Sequence, residues 1–411
     1  MAEPFPREGL PLQEARRRVL AALTPLNGSE RLPLVACLGR VSAEACHAGE
    51  AVPGFRASIM DGYAIADDQP PSPGATWRLL GRSAPGAPFK AALRACEAVR
   101  ILTGAPLPEG ASRVLPQELV AAEGEGIRLV GEAGANPWIR AADEEAAVGQ
   151  RLLAAGVRLG PADLGRLAGC GVATLAVRPQ PRIGLLISGD ELVRVGEPRR
   201  PGAIWESNGT LLAALLERLG YGVAERLVVA DDPVALAAAL ERLAERCDVV
   251  VSTGGVSAGD ADWIRPLLAE RGAVDFWKLF LKPGRPLAFG QLGGRPFFGL
   301  PGNPVAAAIT ALQLLWPALQ ALEGAEPQLL PRLKVRLAEP LRRGAGRPEL
   351  ARARLRVTDD GTLLAVVEGS QASSRIGSLQ GADLLLEIPA ELGALEAGTE
   401  LRAQLLRLPL F

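Results

Sequence analysis

Alternating apolar strands and helices in the third quarter of the chain constrain its fold most strongly. RIGLLIS and CDVVVST are continuous apolar stretches, typical of strands buried on both faces of a parallel sheet. GVAERLVV, PLAFGQL and RPFFGLP are further strands, and helices are expected to be capped by Ser207-Asn208, Asp232-Pro233 and Asn303-Pro304. The alternation predicts a doubly wound α/β domain over residues 179–327, with its ligand site beyond the carboxyl ends of the strands.

The flanking segments predict three further parts. Residues 45–145 are rich in glycine, proline and short alternating segments, which predicts a small, mostly β module. Residues 1–44 and 146–178 carry helical patterns, over 10–23 and from Pro161, and are predicted to form a linking domain. Short strands over 328–411 predict a C-terminal β domain. The expected fold class is therefore multidomain, α/β plus β.

Composition excludes several classes of function. The formal net charge of −1 gives no global basic field for nucleic acid or an anionic membrane. The five cysteines include no CxxC pair, which argues against a disulfide framework or a structural zinc site. No apolar run reaches the ~18 residues of a spanning helix, and the N-terminus lacks an apolar signal region, so a cytoplasmic location is expected.

The scarcity of histidine narrows the chemistry further. His47 is the single histidine, so His-dependent triads and His-ligated metals are nearly excluded. Catalysis must therefore use carboxylates, cations and hydroxyls, with a hard cation such as Mg²⁺.

Four loops of the α/β domain carry groups that suit anions and divalent cations. ISGDEL places acidic side chains after the first strand, and STGGVSAGDADW combines two glycines with hydroxyls and acids. KLFLKPGRPLAFG supplies three cations, and GLPGNP leads into a helix N-terminus. Each loop alone also fits an ordinary solvated or structural turn. Together they predict a phosphate-handling site without a Walker P-loop, because no GxxxxGK[ST] occurs.

These motifs, in this order, resemble the molybdopterin molybdenumtransferases, a family that includes bacterial MoeA and the E domain of gephyrin. The matching segments lie between about residue 8 and residue 400 and are SIMDGYA, RILTGAPLPEGA, ISGDEL, IWESN, DDP, STGGVSAGDADW, WKLFLKPGRPLAFG and GLPGNPV. The resemblance implies Mg²⁺-dependent insertion of molybdate into adenylylated molybdopterin, bound by the α/β domain, with release of AMP. It implies a homodimer with a shared active site, and the molybdopterin adenylyltransferase and molybdoenzyme maturation factors as protein partners.

The resemblance also assigns roles to individual residues. The implied catalytic positions are Asp61, Thr103, Glu191, Asp231 and Asp262, of which Glu191, Asp231 and Asp262 are also the implied metal ligands. The implied substrate-binding positions are Arg140, Glu145, Ser252, Gly254, Gly255, Lys278, Lys282, Pro301 and Asn303. Molybdate is expected at Lys282, Arg352 and Ser373. Among these three, Arg352 offers a planar fork of donors and Ser373 a neutral hydroxyl.

The chain departs from the family pattern at a few positions. The pattern RxxGEDI here reads RAADEEA, so that Asp143 replaces a glycine and Glu145 the usual functional aspartate. Ala306 stands where a serine is usual. Glu145 keeps the charge but moves it by about one methylene, and reach matters in a positioned site.

Three other readings remain open at this point. A molybdopterin adenylyltransferase shares the α/β fold and the GGxS loop but lacks the flanking modules. A scaffold role is suggested by gephyrin, which couples such a domain to receptor clustering. Tungstate is an alternative substrate for the same mechanism.

Overall fold

The computed structural model describes residues 8–255 and 263–407, which divide into two compact units. Within these residues, one unit comprises 8–30, 39–43 and 176–407, and the other comprises 31–38 and 44–175. The four-part division at residues 44, 145, 178 and 327 stays a prediction.

The described helices and strands are numbered in chain order. The helices are α1 Leu12–Ala21, α2 Pro161–Gly169, α3 Asn208–Arg218, α4 Pro233–Arg246, α5 Ile264–Arg271, α6 Pro304–Thr310 and α7 Trp316–Leu322. The strands up to the α/β domain are β1 Glu30–Pro33, β2 Cys46–His47, β3 Ala57–Ser58, β4 Gly62–Ile65, β5 Thr76–Ser83, β6 Glu97–Ile101, β7 Arg113–Pro116, β8 Val120–Glu123, β9 Gly126–Leu129, β10 Ile139–Arg140, β11 Arg151–Leu153 and β12 Thr174–Val177. The remaining strands are β13 Ile183–Ser188, β14 Leu192–Val193, β15 Ile204–Trp205, β16 Val223–Val229, β17 Val249–Thr253, β18 Gly272–Lys278, β19 Pro286–Leu292, β20 Arg295–Leu300, β21 Arg332–Leu337, β22 Glu349–Val357, β23 Leu363–Val366, β24 Leu384–Ile388 and β25 Glu400–Leu405.

The α/β domain is built on a six-stranded sheet in the order β16-β13-β17-β20-β19-β18. The first four strands in this order are parallel, whereas β19 runs antiparallel to both neighbours. One apolar core packs α1, α3, α6 and α7 on one face, and a second packs α4 and α5 on the other. This confirms the doubly wound prediction and explains why IGLLIS is apolar throughout, since Leu185 and Leu186 belong to different cores.

One strand of the α/β domain was missed, and the predicted helix caps are only partly present. Strand β18 was not predicted, because its sequence GAVDFWK breaks the apolar run with an aspartate. Asp232 does cap α4, accepting from the Ala235 amide at 2.7 Å. The predicted capping by Ser207-Asn208 and by Asn303 is wrong, because none of these side chains caps its helix. The Gly209 amide at the start of α3 donates instead to Glu206 Oε1 at 2.6 Å. The amide groups of Asn208 and Asn303 bind other loops instead.

The C-terminal segment forms a closed barrel in the order β21-β23-β22-β24-β25 around its own apolar core. This confirms the predicted C-terminal β structure. The second compact unit contains a six-stranded sheet in the order β7-β4-β6-β5-β9-β8, with apolar clusters on its two faces. The mostly β character expected for residues 45–145 is therefore confirmed.

Helix α6, a π-helical turn at Ala311–Leu315 and helix α7 form one apolar segment, Pro304–Leu322. Its 19 residues are long and apolar enough to cross a membrane by length and composition, which the sequence reading did not anticipate. Of its most apolar 18 consecutive residues 94% are buried within the protein, and the segment carries the polar Gln313 and Gln320, so it is a core helix.

Candidate active site

The carboxyl ends of the parallel strands meet at one edge of the α/β sheet, and glycines lie where they end. Gly254 has φ +91°, and a Cβ atom there would lie 2.5 Å from the Ser188 carbonyl oxygen. Gly255 has φ +62°, and a Cβ atom would lie 2.8 Å from Ile264 Cγ1. Only glycine allows the backbone after β17 to pass this close to the end of β13. Ser252, on β17, has a buried Oγ with no partner within the described residues.

Three carboxylates gather at the same edge. Asp190 and Glu191 follow β13, and Asp231 follows β16. The Asp231 amide donates to Asp190 Oδ1 at 3.0 Å. Burial raises the pKa of the Asp231 carboxyl, the charges of Asp190 and Glu191 raise it further, and a hydrogen bond from Ser188 opposes them. Two of the predicted metal ligands are therefore close together.

The Asp231 carboxylate fits a divalent cation. Its Oδ1 is buried and has no hydrogen-bond partner in the part of the chain that the structure describes. A buried carboxylate oxygen beside two further acids gains free energy from a hard cation, which prefers oxygen ligands. Asp262, the third predicted ligand, lies outside the described residues, and residues 8–255 and 263–407 contain no preformed group of three metal-ligating side chains.

Thermal stability is expected to report on this carboxylate. Because the pKa of Asp231 is raised from 3.8, its contribution to stability is favourable at low pH and is lost as the pH rises through the raised value. At neutral pH without metal, Asp231→Asn should therefore unfold at a higher temperature than the wild type. Mg²⁺ at a hundred times its Kd should stabilise the wild type by about 2.7 kcal/mol and so raise its melting temperature. The melting temperature of the variant should rise much less. An equal rise in both proteins, followed by differential scanning fluorimetry, would contradict the assignment.

The amide of Asn208 joins the ends of two of these strands. Its Nδ2 donates to Thr253 Oγ1 at 2.9 Å and to the Gly302 carbonyl oxygen at 2.7 Å. Thr253 Oγ1 in turn donates to the carbonyl oxygen of Pro301 at 3.2 Å. Asn208 was quoted in the motif IWESN but given no role beyond capping, since the contact that reveals its position is made 45 residues along the chain.

The predicted cations lie toward the other side of the same edge. Lys278 ends β18, and four strand spacings of ~4.8 Å separate β18 from β13, or about 19 Å. Lys282 is half exposed, and its Nζ pairs with Glu349 Oε1 at 3.0 Å. Its backbone also bonds to the start of β22, donating to Pro348 and accepting from Leu350. The barrel therefore fixes the position of Lys282.

Arg352 is buried, on the face of β22 opposite the barrel core, which takes its neighbours Ala351 and Ala353. It is 2% exposed, and its guanidinium donates to Ser378 Oγ at 3.2 Å and to the Ala372 carbonyl oxygen at 3.3 Å. Its Nη1 is buried with no partner among the described residues, and burial lowers the pKa of the guanidinium. It lines a cavity of about 220 Å³ together with Arg375 and with Arg354, which pairs with Glu368 at 3.2 Å, so that positive charge remains in excess. The cavity is suited to an anion.

The predicted molybdate-binding groups are only partly brought together. Lys282 and Arg352 both lie near Glu349, which pairs with Lys282 and acts electrostatically on Arg352. Ser373 Oγ instead accepts from Asn303 Nδ2 at 2.9 Å, and no described hydrogen bond joins it to Arg352. Ser373 thus connects the barrel to the start of α6. Sequence analysis did not identify Arg375 or Ser378, because isolated polar residues in a loop give no signal of their own.

Asp61 and Thr103 are adjacent in the second compact unit. Asp61 Oδ1 accepts from the Thr103 amide and from Thr103 Oγ1, both at 2.8 Å. These hydrogen bonds lower the pKa of the Asp61 carboxyl, so it stays ionised. The catalytic role of these two residues stays a prediction.

Arg140 and Glu145 belong to the same unit but have different partners. Arg140 pairs with Glu144 at 3.3 Å, and Glu145 pairs with Arg166 at 3.1 Å. Arg166 also donates to the Leu152 carbonyl oxygen. The side chain that departs from the family pattern is thus engaged by a helix α2 arginine.

Family models match three segments that together cover most of the chain. They are described as the MoeA N-terminal region (domain I and II) at residues 10–171, a probable molybdopterin binding domain at 184–321, and the MoeA C-terminal region (domain IV) at 334–406. The chain is 33% identical to the molybdopterin molybdenumtransferase of Haemophilus influenzae, over 95% of this chain and 96% of that protein. It is 31% identical to molybdopterin molybdenumtransferase 2 of Mycobacterium tuberculosis, over 95% and 98% of the two chains.

A solved structure has the same fold over nearly the whole length. The molybdopterin biosynthesis MoeA protein of Pyrococcus horikoshii superposes with a TM-score of 0.80 at 27% identity, over 96% of this chain and 99% of that one. The match extends across both flanking parts as well as the α/β domain.

Proposed function

Since the chain belongs to the molybdopterin molybdenumtransferase family, we propose that it is the molybdotransferase that inserts molybdate into adenylylated molybdopterin, with Mg²⁺-dependent release of AMP. The observation that carries the proposal is the unpartnered, buried Asp231 Oδ1 beside Asp190 and Glu191. A bound Mg²⁺ would supply charge stabilisation at a phosphate oxygen. The chain's own contribution is to hold these acids at the end of β13 and β16, where ligands of such sheets collect.

The distance between the acids and the lysines supports an extended substrate. About 19 Å separates β13 from β18 along the sheet edge, and Lys278 lies at the far strand. A ligand with a nucleotide at one end and a second anionic group at the other matches that distance better than a single phosphate. Lys278 and the N-terminal end of α6 are the groups that would bind its anions.

The cavity beside Arg352 supports a separate place for molybdate. Arg352 Nη1 is a buried donor without a protein partner in the described residues, and an oxyanion would satisfy it. Ser378 and Ala372 fix the rest of the guanidinium, so the free donor has a defined direction. The chain would therefore bind molybdate without reorganising this side chain.

A reconstituted reaction tests the proposal. The purified chain is mixed with adenylylated molybdopterin, Mg²⁺ and either molybdate or tungstate, and AMP and metal-loaded cofactor are quantified. We expect AMP release that requires Mg²⁺ and an oxyanion. Formation of adenylylated molybdopterin from ATP and molybdopterin would instead support the adenylyltransferase alternative. Equal use of tungstate would broaden the substrate, and the absence of both reactions would contradict the proposal.

A homodimer is also proposed, because the functional groups are divided between two compact units. Asp61 and Thr103 belong to one unit, whereas Glu191 and Asp231 belong to the other. Light scattering at micromolar concentration should give a mass near twice the 43.0 kDa of one chain. A mass near one chain would count against a shared site. We further propose a cytoplasmic location, with the adenylyltransferase and molybdoenzyme maturation factors as partners.

A further inference from the structure

The Nδ2 group of Asn208 forms hydrogen bonds, whereas the Oδ1 atom of the same amide forms none with the described residues. Its Nδ2 donates to Thr253 Oγ1 and to the Gly302 carbonyl oxygen, and thereby connects α3 to the loops after β17 and β20. Its Oδ1 is buried and has no hydrogen-bond partner among residues 8–255 and 263–407. A buried acceptor without a donor is costly, so this atom is an unexplained feature of the site.

The orientation of this amide follows from its partners. The carbonyl oxygen of Gly302 is only an acceptor, so the nitrogen of Asn208 must face it. The hydroxyl of Thr253 accepts from Asn208 and directs its own proton to Pro301. Flipping the amide would place two oxygens against each other, which fixes Oδ1 as the free atom.

Asn208 lines a small open cavity at the carboxyl edge of the sheet. Its other walls include Glu191, Trp205, Gly254 and Gly302. The cavity has a volume of about 80 Å³, which is large enough for the polar edge of a ring but too small for a whole nucleotide. Both Asn208 Oδ1 and the Glu191 carboxylate are acceptors, so they repel an anion and favour a hydrogen-bond donor.

We propose that Asn208 is a specificity-determining residue whose Oδ1 accepts a hydrogen bond from an amino group on the heterocycle of the substrate. This rests on the proposed function, in which the substrate carries two such heterocycles. An exocyclic amino group is planar and a strong donor, and it therefore matches two neighbouring acceptors. The pterin and the adenine both present one, and the same chemistry applies to either.

The experiment compares pairs of ligands that differ at this group. Isothermal titration calorimetry is performed with AMP against IMP, and with pterin-6-carboxylic acid against lumazine-6-carboxylic acid, on the full chain. In each pair the second ligand has an oxygen in place of the amino group. The wild type should prefer the amino ligand by about tenfold in one pair, and that pair identifies the ring. In Asn208→Leu the preference should fall to about one.

The Thr253→Val variant is the matched control. It removes the hydroxyl that accepts from Nδ2 but leaves Oδ1 in place, so both ligands of a pair should weaken together and their ratio should persist. A purely structural role of Asn208 would instead leave the ratio unchanged in Asn208→Leu, which would overturn the inference. Equal binding of both members of each pair by the wild type would also overturn the inference. This result does not depend on the folding of any variant. Failure of the wild type to bind any of the four ligands would overturn the proposed function itself, and the inference with it.

Discussion

Arg352→Ala is expected to raise the half-saturating molybdate concentration by roughly 10- to 150-fold, the cost of one lost charge-assisted hydrogen bond. The guanidinium is buried, and its free Nη1 is the only donor of Arg352 without a partner in the described residues. An oxyanion at this buried donor would be partly shielded from water, which makes electrostatic attraction stronger than in bulk solvent. Nucleotide affinity should change much less, because the acids after β13 belong to the sheet and not to the barrel.

The measurement titrates molybdate at a fixed concentration of adenylylated molybdopterin. Arg356→Ala is the matched control, since Arg356 lies on the same strand but is exposed and does not line the cavity. Circular dichroism establishes that both variants are folded. An unchanged half-saturating concentration in Arg352→Ala would refute the assignment even if overall activity fell.

Glu191→Gln and Asp231→Asn are each expected to reduce Mg²⁺-dependent AMP release by roughly 100-fold or more, since metal ions contribute several kcal/mol of charge stabilisation in such reactions. Both substitutions preserve shape and remove one negative charge. Asp231→Asn also removes a charge whose burial, and whose repulsion by Asp190 and Glu191, raise the pKa of this carboxyl, so its fold should be retained.

Asp232→Asn is the control for these two variants. Asp232 is the neighbour of Asp231 but caps α4 through the Ala235 amide, and asparagine caps helices equally well. AMP release by Asp232→Asn should therefore remain close to that of the wild type. Normal release by both Glu191→Gln and Asp231→Asn would remove these residues from the mechanism.

The fold was largely predictable because its strongest signals are local. Strands buried on both faces must be apolar throughout, and this pattern located β13 and β17. Strand β18 was missed since it is an edge strand with polar residues, whose pairing with β19 is a tertiary property. The caps at Asn208 and Asn303 were misjudged for a similar reason, because each amide has a better partner in a distant loop.

The loops that form the site were predictable from the sequence, but the burial and contacts of their side chains were not. Motif order placed Glu191 and Asp231 in one site, and the structure brings them close together. Motif order gave no information on burial, so the buried position of Arg352 and its contacts with Ser378 and Ala372 were not expected. Lys282 was likewise predicted to be an available cation. The structure pairs it with Glu349, which lies 67 positions later and could not be identified as its partner from the sequence.

The pairing of Lys282 with Glu349 has a consequence for turnover. An oxyanion that approaches this lysine must compete with a carboxylate that is already in contact, and Glu349 is itself retained by Arg343. Separation of the Lys282–Glu349 pair would therefore reduce the net free energy of anion binding, and the pair would re-form when the anion leaves. Such an arrangement favours rapid exchange over tight retention. A transferase that passes its cargo onward benefits from a weak hold, whereas a storage protein would need the lysine unopposed.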